Sequence, residues 1–146
     1  MELKTKLLRE NVLPPKYQQS IYTFNEDYMI EYDLKSIQIY KLKENDSCQK
    51  NKISEIITLI EFHPFYKNIF GIGTKEGNII LYEILENPFR VSKEKLIIKA
   101  HQNGIISFKF NPNNKYEKYI TSCAYDNTVK IFQLNNSYCL KKNIPK

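Results

Sequence analysis

Apolar residues recur along the chain in short runs, and three of these runs share one pattern. Ser36-Ile37-Gln38-Ile39-Tyr40-Lys41-Leu42, Asn78-Ile79-Ile80-Leu81-Tyr82-Glu83-Ile84 and Thr128-Val129-Lys130-Ile131-Phe132-Gln133-Leu134 each follow a polar turn and place an aromatic residue fifth. β-Branched and aromatic side chains of this kind favour strands over helices. A second landmark precedes the last two runs: Ile57–Pro64 matches Ile105–Pro112, each a strand closed by a proline, which cannot donate to a ladder. Between landmark and aromatic strand lies a further run, Ile69–Gly73 in one copy and Tyr119–Cys123 in the other. After it comes a fourth, Leu96-Ile97-Ile98 and Tyr138-Cys139-Leu140. Four short strands joined by tight turns predict a four-stranded antiparallel unit. With only four Gly in the chain, Asn and Asp must supply many of the turns.

The aromatic positions 40, 82 and 132 are 42 and 50 residues apart, which fits the roughly 40–45-residue period of a propeller blade with loop insertions. The expected fold is therefore all-β: a partial β-propeller of two full four-stranded antiparallel blades and a partial N-terminal one. Residues 20–24, 28–32 and 37–42 supply at most three strands to that first unit. The expected organisation is an N-terminal segment, 1–19, and an incomplete propeller, 20–146, with blades near 20–50, 53–99 and 101–142. A closed ring of six or seven blades needs about 240–300 residues. The chain is accordingly expected to be a fragment or truncated form, to assemble with copies of itself, or to meet a partner that completes the propeller.

The last unit, SCAYDNTVKIFQL at 122–134 preceded by Ala100-His101, resembles a WD repeat. In that family a Gly-His pair opens the unit and a Trp-Asp pair closes it. Here Ala100 stands for the Gly and Phe132-Gln133 for the Trp-Asp. The resemblance implies a structural hydrogen-bonded network of His101, Ser122 and Asp126, one member short because Phe132 has no N–H to donate. The preceding unit departs further, with Ile72, Glu76 and Tyr82 at the Ser, Asp and Trp positions. The likeness covers about residues 20–140 and implies a non-catalytic binding module. Its interaction surface would hold Lys75, Gln102, Asn103 and Tyr125, with Tyr125 as the aromatic hot spot.

Two subfamilies compete. His63-Pro64, Gly73-Thr74-Lys75-Glu76-Gly77 and Phe110-Asn111-Pro112 resemble, in the same order, runs in the small subunit of the damage-specific DNA-binding protein and its relatives. Tyr82-Glu83-Ile84-Leu85-Glu86 resembles a single stretch of the coronins, with Leu85 replacing a Pro. The first, favoured, implies a chromatin- or DNA-associated role related to damaged-DNA recognition. The alternative is a cytoplasmic scaffold for protein–protein interaction.

Charge adds to this picture without deciding it. A net +6 and a pI near 9.1 would favour acidic filaments, nucleic acid or anionic lipid. The lysines are nonetheless scattered, the densest groups being Lys93, Lys95, Lys99 and Lys141, Lys142, Lys146. Cys48, Cys123 and Cys139 have no metal or disulfide spacing, and no apolar stretch reaches the ~18 residues of a membrane span. A nuclear or cytoplasmic protein is expected, with other proteins or DNA as partners and no membrane, cofactor or metal. Gly71-Ile72-Gly73-Thr74-Lys75-Glu76-Gly77 lacks the Lys-Ser/Thr ending of a phosphate loop and is read as close packing plus a turn at Gly77. His101 is read as structural rather than catalytic, and His63, beside Pro64, as a surface residue. Pro14-Pro15-Lys16-Tyr17 fits the short Pro-Pro-x-Tyr pattern of WW-domain ligands, a pattern that chance also produces.

Overall fold

The structure is a computed structural model and describes residues 21–44, 48–113 and 118–134. Every regular element among them is a strand. The first unit holds β1 (Ile21–Phe24), β2 (Tyr28–Tyr32), β3 (Ser36–Lys41) and β4 (Cys48–Lys52), an antiparallel sheet in that order. The second holds β5 (Ile57–Phe62), β6 (Ile69–Thr74), β7 (Asn78–Leu85), β8 (Arg90–Val91) and β9 (Leu96–Lys99). In it β7 pairs with β9 over its first half, Asn78 to Leu81, and with the two-residue β8 at its far end. The third comprises β10 (Ile105–Phe110), β11 (Tyr119–Ala124) and β12 (Val129–Gln133). The run Tyr138–Leu140, Cys139 and the Pro14-Pro15-Tyr17 motif lie outside the described residues.

One expectation needs correcting. The first unit is not limited to three strands, because Cys48-Gln49-Lys50-Asn51-Lys52 pairs with β3 from Tyr40↔Cys48 to Ser36↔Lys52. It was hidden because it is a polar edge strand. Its side chains carry no apolar alternation, and lysine on an outer strand is a usual guard against edge-to-edge pairing.

The three sheets pack face on face in chain order. Ile30, Tyr32, Ile37 and Ile39 of the first share a buried cluster with Ile57, Ile60, Phe70, Ile72 and Tyr82 of the second. Ile79 and Leu81, on the opposite face of the second, share another with Ile105, Phe108, Phe110 and Ile120 of the third. Each large side chain so buried contributes about 1.5–3 kcal/mol. The second interface is close: a Cβ on Gly71 would stand 2.9 Å from the Phe108 ring, and one on Gly73 would stand 3.0 Å from Ile105.

Backbone hydrogen bonds repeat along one rim. Ile53 N donates to Lys35 O at 2.8 Å, and His101 N donates to Gly77 O at 2.9 Å. Each joins the loop entering a new sheet to the hairpin turn of the sheet before. His63 is a second correction, since it is buried rather than on the surface. Its Nδ1 accepts from the N–H groups of Phe65 and Tyr66, both at 3.1 Å, and its ring lies 4.8 Å from those of Tyr66 and Phe110. The imidazole caps the turn after β5 much as Asn111 Oδ1 caps the next, accepting from Asn113 N at 2.8 Å.

Candidate functional site

The loop Ala100–Gly104, entering the third sheet, is held between two hairpin turns. On one side Gly77 O accepts from Ala100 N and His101 N, at 3.2 and 2.9 Å. Gly77 sits at φ 91°, and a Cβ there would meet His101 O at 2.1 Å, so only glycine fits. On the other side Tyr125 N donates to Gly104 O at 3.0 Å, Gln102 N to Asp126 Oδ2 at 3.3 Å, and Asn103 Nδ2 to Tyr125 O at 3.4 Å. Lys130 Nζ closes the loop from β12 by donating to Ala100 O at 2.7 Å.

Within this clasp lies a polar network. The His101 side chain is wholly buried. Its Nε2 is 2.8 Å from Ser122 Oγ, and its Nδ1 is 2.9 Å from both Asp126 Oδ2 and Thr128 Oγ1. Thr128 in turn donates its N–H and its hydroxyl to Asp126 Oδ1, at 3.0 and 2.7 Å. A carboxylate only accepts, so Nδ1 carries a hydrogen toward Asp126, and Nε2 is hydrogen bonded to the Ser122 hydroxyl. The Asp126 carboxyl is held well below the usual carboxylate range. The Thr128 hydroxyl is the main cause, helped by His101 and the N–H groups of Thr128 and Gln102 and opposed by burial.

His101, Ser122 and Asp126 are thus brought together, and Thr128 joins them. Sequence reasoning missed Thr128, although Asp126-Asn127-Thr128 has the i, i+2 spacing at which an acidic side chain caps its own turn. Phe132 packs against the second apolar cluster.

A serine, a histidine and a carboxylate in contact have the order of a nucleophilic relay. Here the order does not extend to access. Ser122 is 2 % exposed, on the face of β11 that packs against the second sheet, and no acyl carbon can approach its Oγ. The arrangement staples a loop to a turn.

Lys75, Gln102 and Asn103 are exposed on this rim, and Tyr125 is 69 % exposed. Their backbones lie close: a Cβ on Gly104 would stand 3.1 Å from Lys75 O. Leu34, in the first sheet's turn, is exposed on the same rim and accepts from Ile57 N at 2.8 Å. Its position in the hairpin turn before the first aromatic strand was the available signal. Of the basic residues, Lys50 and Lys52 are exposed on β4, Lys99 on β9, and Lys93 just before β9. Lys95 pairs with Glu83. Among the described residues no His, Cys, Asp and Glu group could hold a metal ion, and no helix is long and apolar enough to cross a membrane.

No family model matches the chain. It is 30% identical over 92 residues to the DNA damage-binding protein CMR1 of Scheffersomyces stipitis, a match that covers 63% of this chain and 17% of that protein. The structure resembles that of the computationally designed Ika4 protein, with a TM-score of 0.55 and 19% identity, over 77% of this chain and 64% of that one. The second likeness is one of fold alone. The chain spans less than two thirds of either relative.

Proposed function

We propose that the chain is a non-catalytic binding module of consecutive WD-type propeller blades that works in association with DNA or chromatin, in the recognition of damaged DNA. The observation that carries this reading is the 30% identity to a protein named for binding damaged DNA. The net charge of +6 supports it, as do Lys52, Lys93 and Lys99, exposed cations of the kind that meet phosphates. The His101–Asp126 staple holds the rim in shape and takes no part in chemistry. A nuclear location goes with this role.

The test is fluorescence anisotropy with intact and lesion-bearing duplexes over a salt series. The expected result is tighter binding to the lesion and affinity that falls linearly in log–log form with salt. Absence of salt-dependent binding to either duplex overturns the reading. A protein-binding scaffold is the second reading, favoured by Tyr125 and Leu34, two exposed apolar side chains on one rim. It is tested by whether Tyr125→Ala abolishes capture of a protein partner.

A further inference from the structure

Cations are neutralised along one edge of the sheets and left unpaired along the other. The first strands of the three sheets, β1, β5 and β10, lie side by side. In these strands and the turns that follow them, Lys67 pairs with Glu26 and Lys109 with Glu61. The opposite edge of the second sheet is built in two pieces. β8 lies against the far end of β7, with Arg90 opposite Leu85, and β9 lies against the near half, with Lys99 opposite Asn78. The loop between them exposes Lys93. Among the described residues no further strand pairs with β8 or β9. Asn78 and Leu85 stand at the two ends of β7, so Arg90, Lys93 and Lys99 are strung along an edge of about 23 Å. All three are exposed, and none makes an ion pair among the described residues. Lys95, between them in the chain, is bonded to the buried Glu83. Glu94 is the one acid from Arg90 to Lys99, so the edge keeps a positive charge.

Two properties indicate what such an edge receives. A lysine on an outer strand guards against edge-to-edge pairing, which accounts for Lys99. Lys93 lies in a loop, where there is no ladder to guard. The edge is also poor in anything but charge: of the exposed large apolar residues only Ile97 is on it, and no exposed aromatic ring. It offers no platform on which a base could stack.

We infer that this edge is a track for the phosphate backbone of nucleic acid, with Arg90, Lys93 and Lys99 each meeting a phosphate and none of them reading a lesion. The inference rests on the DNA reading above, and adds to it the place of the contact and its indifference to sequence and damage. Charges recur about every 3.4 Å of axis along one strand of a duplex, so an edge of this length runs past several. Contacts of this kind position a protein and carry no sequence information. Discrimination of a lesion then comes from another surface of the protein.

Fluorescence anisotropy of the full chain with intact and lesion-bearing duplexes over a salt series tests this. Each phosphate contact contributes about 0.9 to the slope of log affinity against log salt. Arg90→Ala, Lys93→Ala and Lys99→Ala combined should therefore lower that slope by about 2.7. They should weaken both duplexes by the same factor, leaving the ratio of the two affinities unchanged. Lys35→Ala, which removes an exposed cation from the rim, should leave the slope as it is. All four side chains are exposed, so far-ultraviolet circular dichroism should match the wild type. An unchanged slope in the triple variant, or a slope that Lys35→Ala lowers as much as Lys93→Ala does, overturns the inference and leaves the DNA reading standing. A loss confined to the lesion-bearing duplex overturns the backbone-only contact. A wild type that binds neither duplex overturns both proposals. If that protein binds equimolar phosphatidylserine–phosphatidylcholine vesicles and the triple variant does not, the edge serves a membrane surface instead.

Discussion

The second and third sheets solve the same packing problem with opposite chemistry. Where a loop enters each sheet and a side chain from the middle strand meets it, the third sheet places His101 and Ser122, hydrogen bonded at 2.8 Å. The second sheet places Ile53 and Ile72 at the corresponding positions, both in the first apolar cluster. Its turn is closed differently too. Thr74 Oγ1 accepts from Asn78 N at 3.1 Å, and Asn78 Nδ2 donates to Glu55 at 2.6 Å, where the third sheet uses Asp126 and Thr128. The loop is clasped in both. Either a complete polar network or an apolar plug satisfies the site, and a mixture of the two leaves a buried polar group without a partner.

Mixing them is the strongest way to break the comparison. Ile72→Ser puts a hydroxyl beside Ile53, where there is no histidine to receive it, and removes most of a fully buried side chain. The cavity and the unpaired hydroxyl together should destabilise the chain by about 3–5 kcal/mol in urea or thermal unfolding. A loss under about 1 kcal/mol would show that the second sheet does not depend on an apolar plug.

Gly77 and Asn127 hold the same place in their turns, both at positive φ, 91° and 61°. The difference is the neighbour. Gly77 lies under the entering loop, with His101 O where a Cβ would be, whereas Asn127 is exposed. Gly77→Ala should cost at least about 2–3 kcal/mol through strain and displacement of the loop, while Asn127→Gly should stay within about 0.5 kcal/mol of the wild type. Equal effects from the two would mean that the clasp at Gly77 contributes nothing.

The polar network itself is probed by Ser122→Ala. The substitution leaves His101 Nε2 buried and unpartnered, a loss of about 1–3 kcal/mol. Ser122→Thr keeps the hydroxyl and should recover part of it. If alanine is tolerated without loss, the histidine is held by its Nδ1 contacts alone.

How much of this could be read in the sequence follows from which signals are local. The aromatic strands and their proline-closed partners were visible because period-two apolar runs persist wherever one face is buried. β4 was not, since an outer strand of Cys48-Gln49-Lys50-Asn51-Lys52 has no buried face to write a pattern. His63 looked exposed because histidine beside proline at a strand end is ordinarily solvated; only the turn that follows shows two N–H groups converging on its Nδ1. His101, Ser122 and Asp126 could be named from the resemblance, but Thr128 could not. Its contact with His101 exists only after the hairpin turn has folded against a loop 27 residues away.

The smallest expected effect concerns pH and isolates Asp126. Its carboxyl is held below the usual range in the folded chain, by the Thr128 hydroxyl first and His101 next. A depressed carboxylate contributes stability that is fully present above its unfolded value of about 3.9 and is lost as pH falls toward the folded one. The stability difference between wild type and Asp126→Asn should therefore be constant from neutral pH down to about pH 4 and shrink below it. Asp33 and Glu86 are also held below their ordinary values, but both are present in the two proteins and cancel in the difference. Urea unfolding at a series of pH values reads this directly. A difference that stays flat well below pH ~4 would mean that the carboxylate's charge adds nothing to the staple. The third sheet's network would then act by shape and neutral hydrogen bonds, as close to the second sheet's apolar plug as a polar site can come.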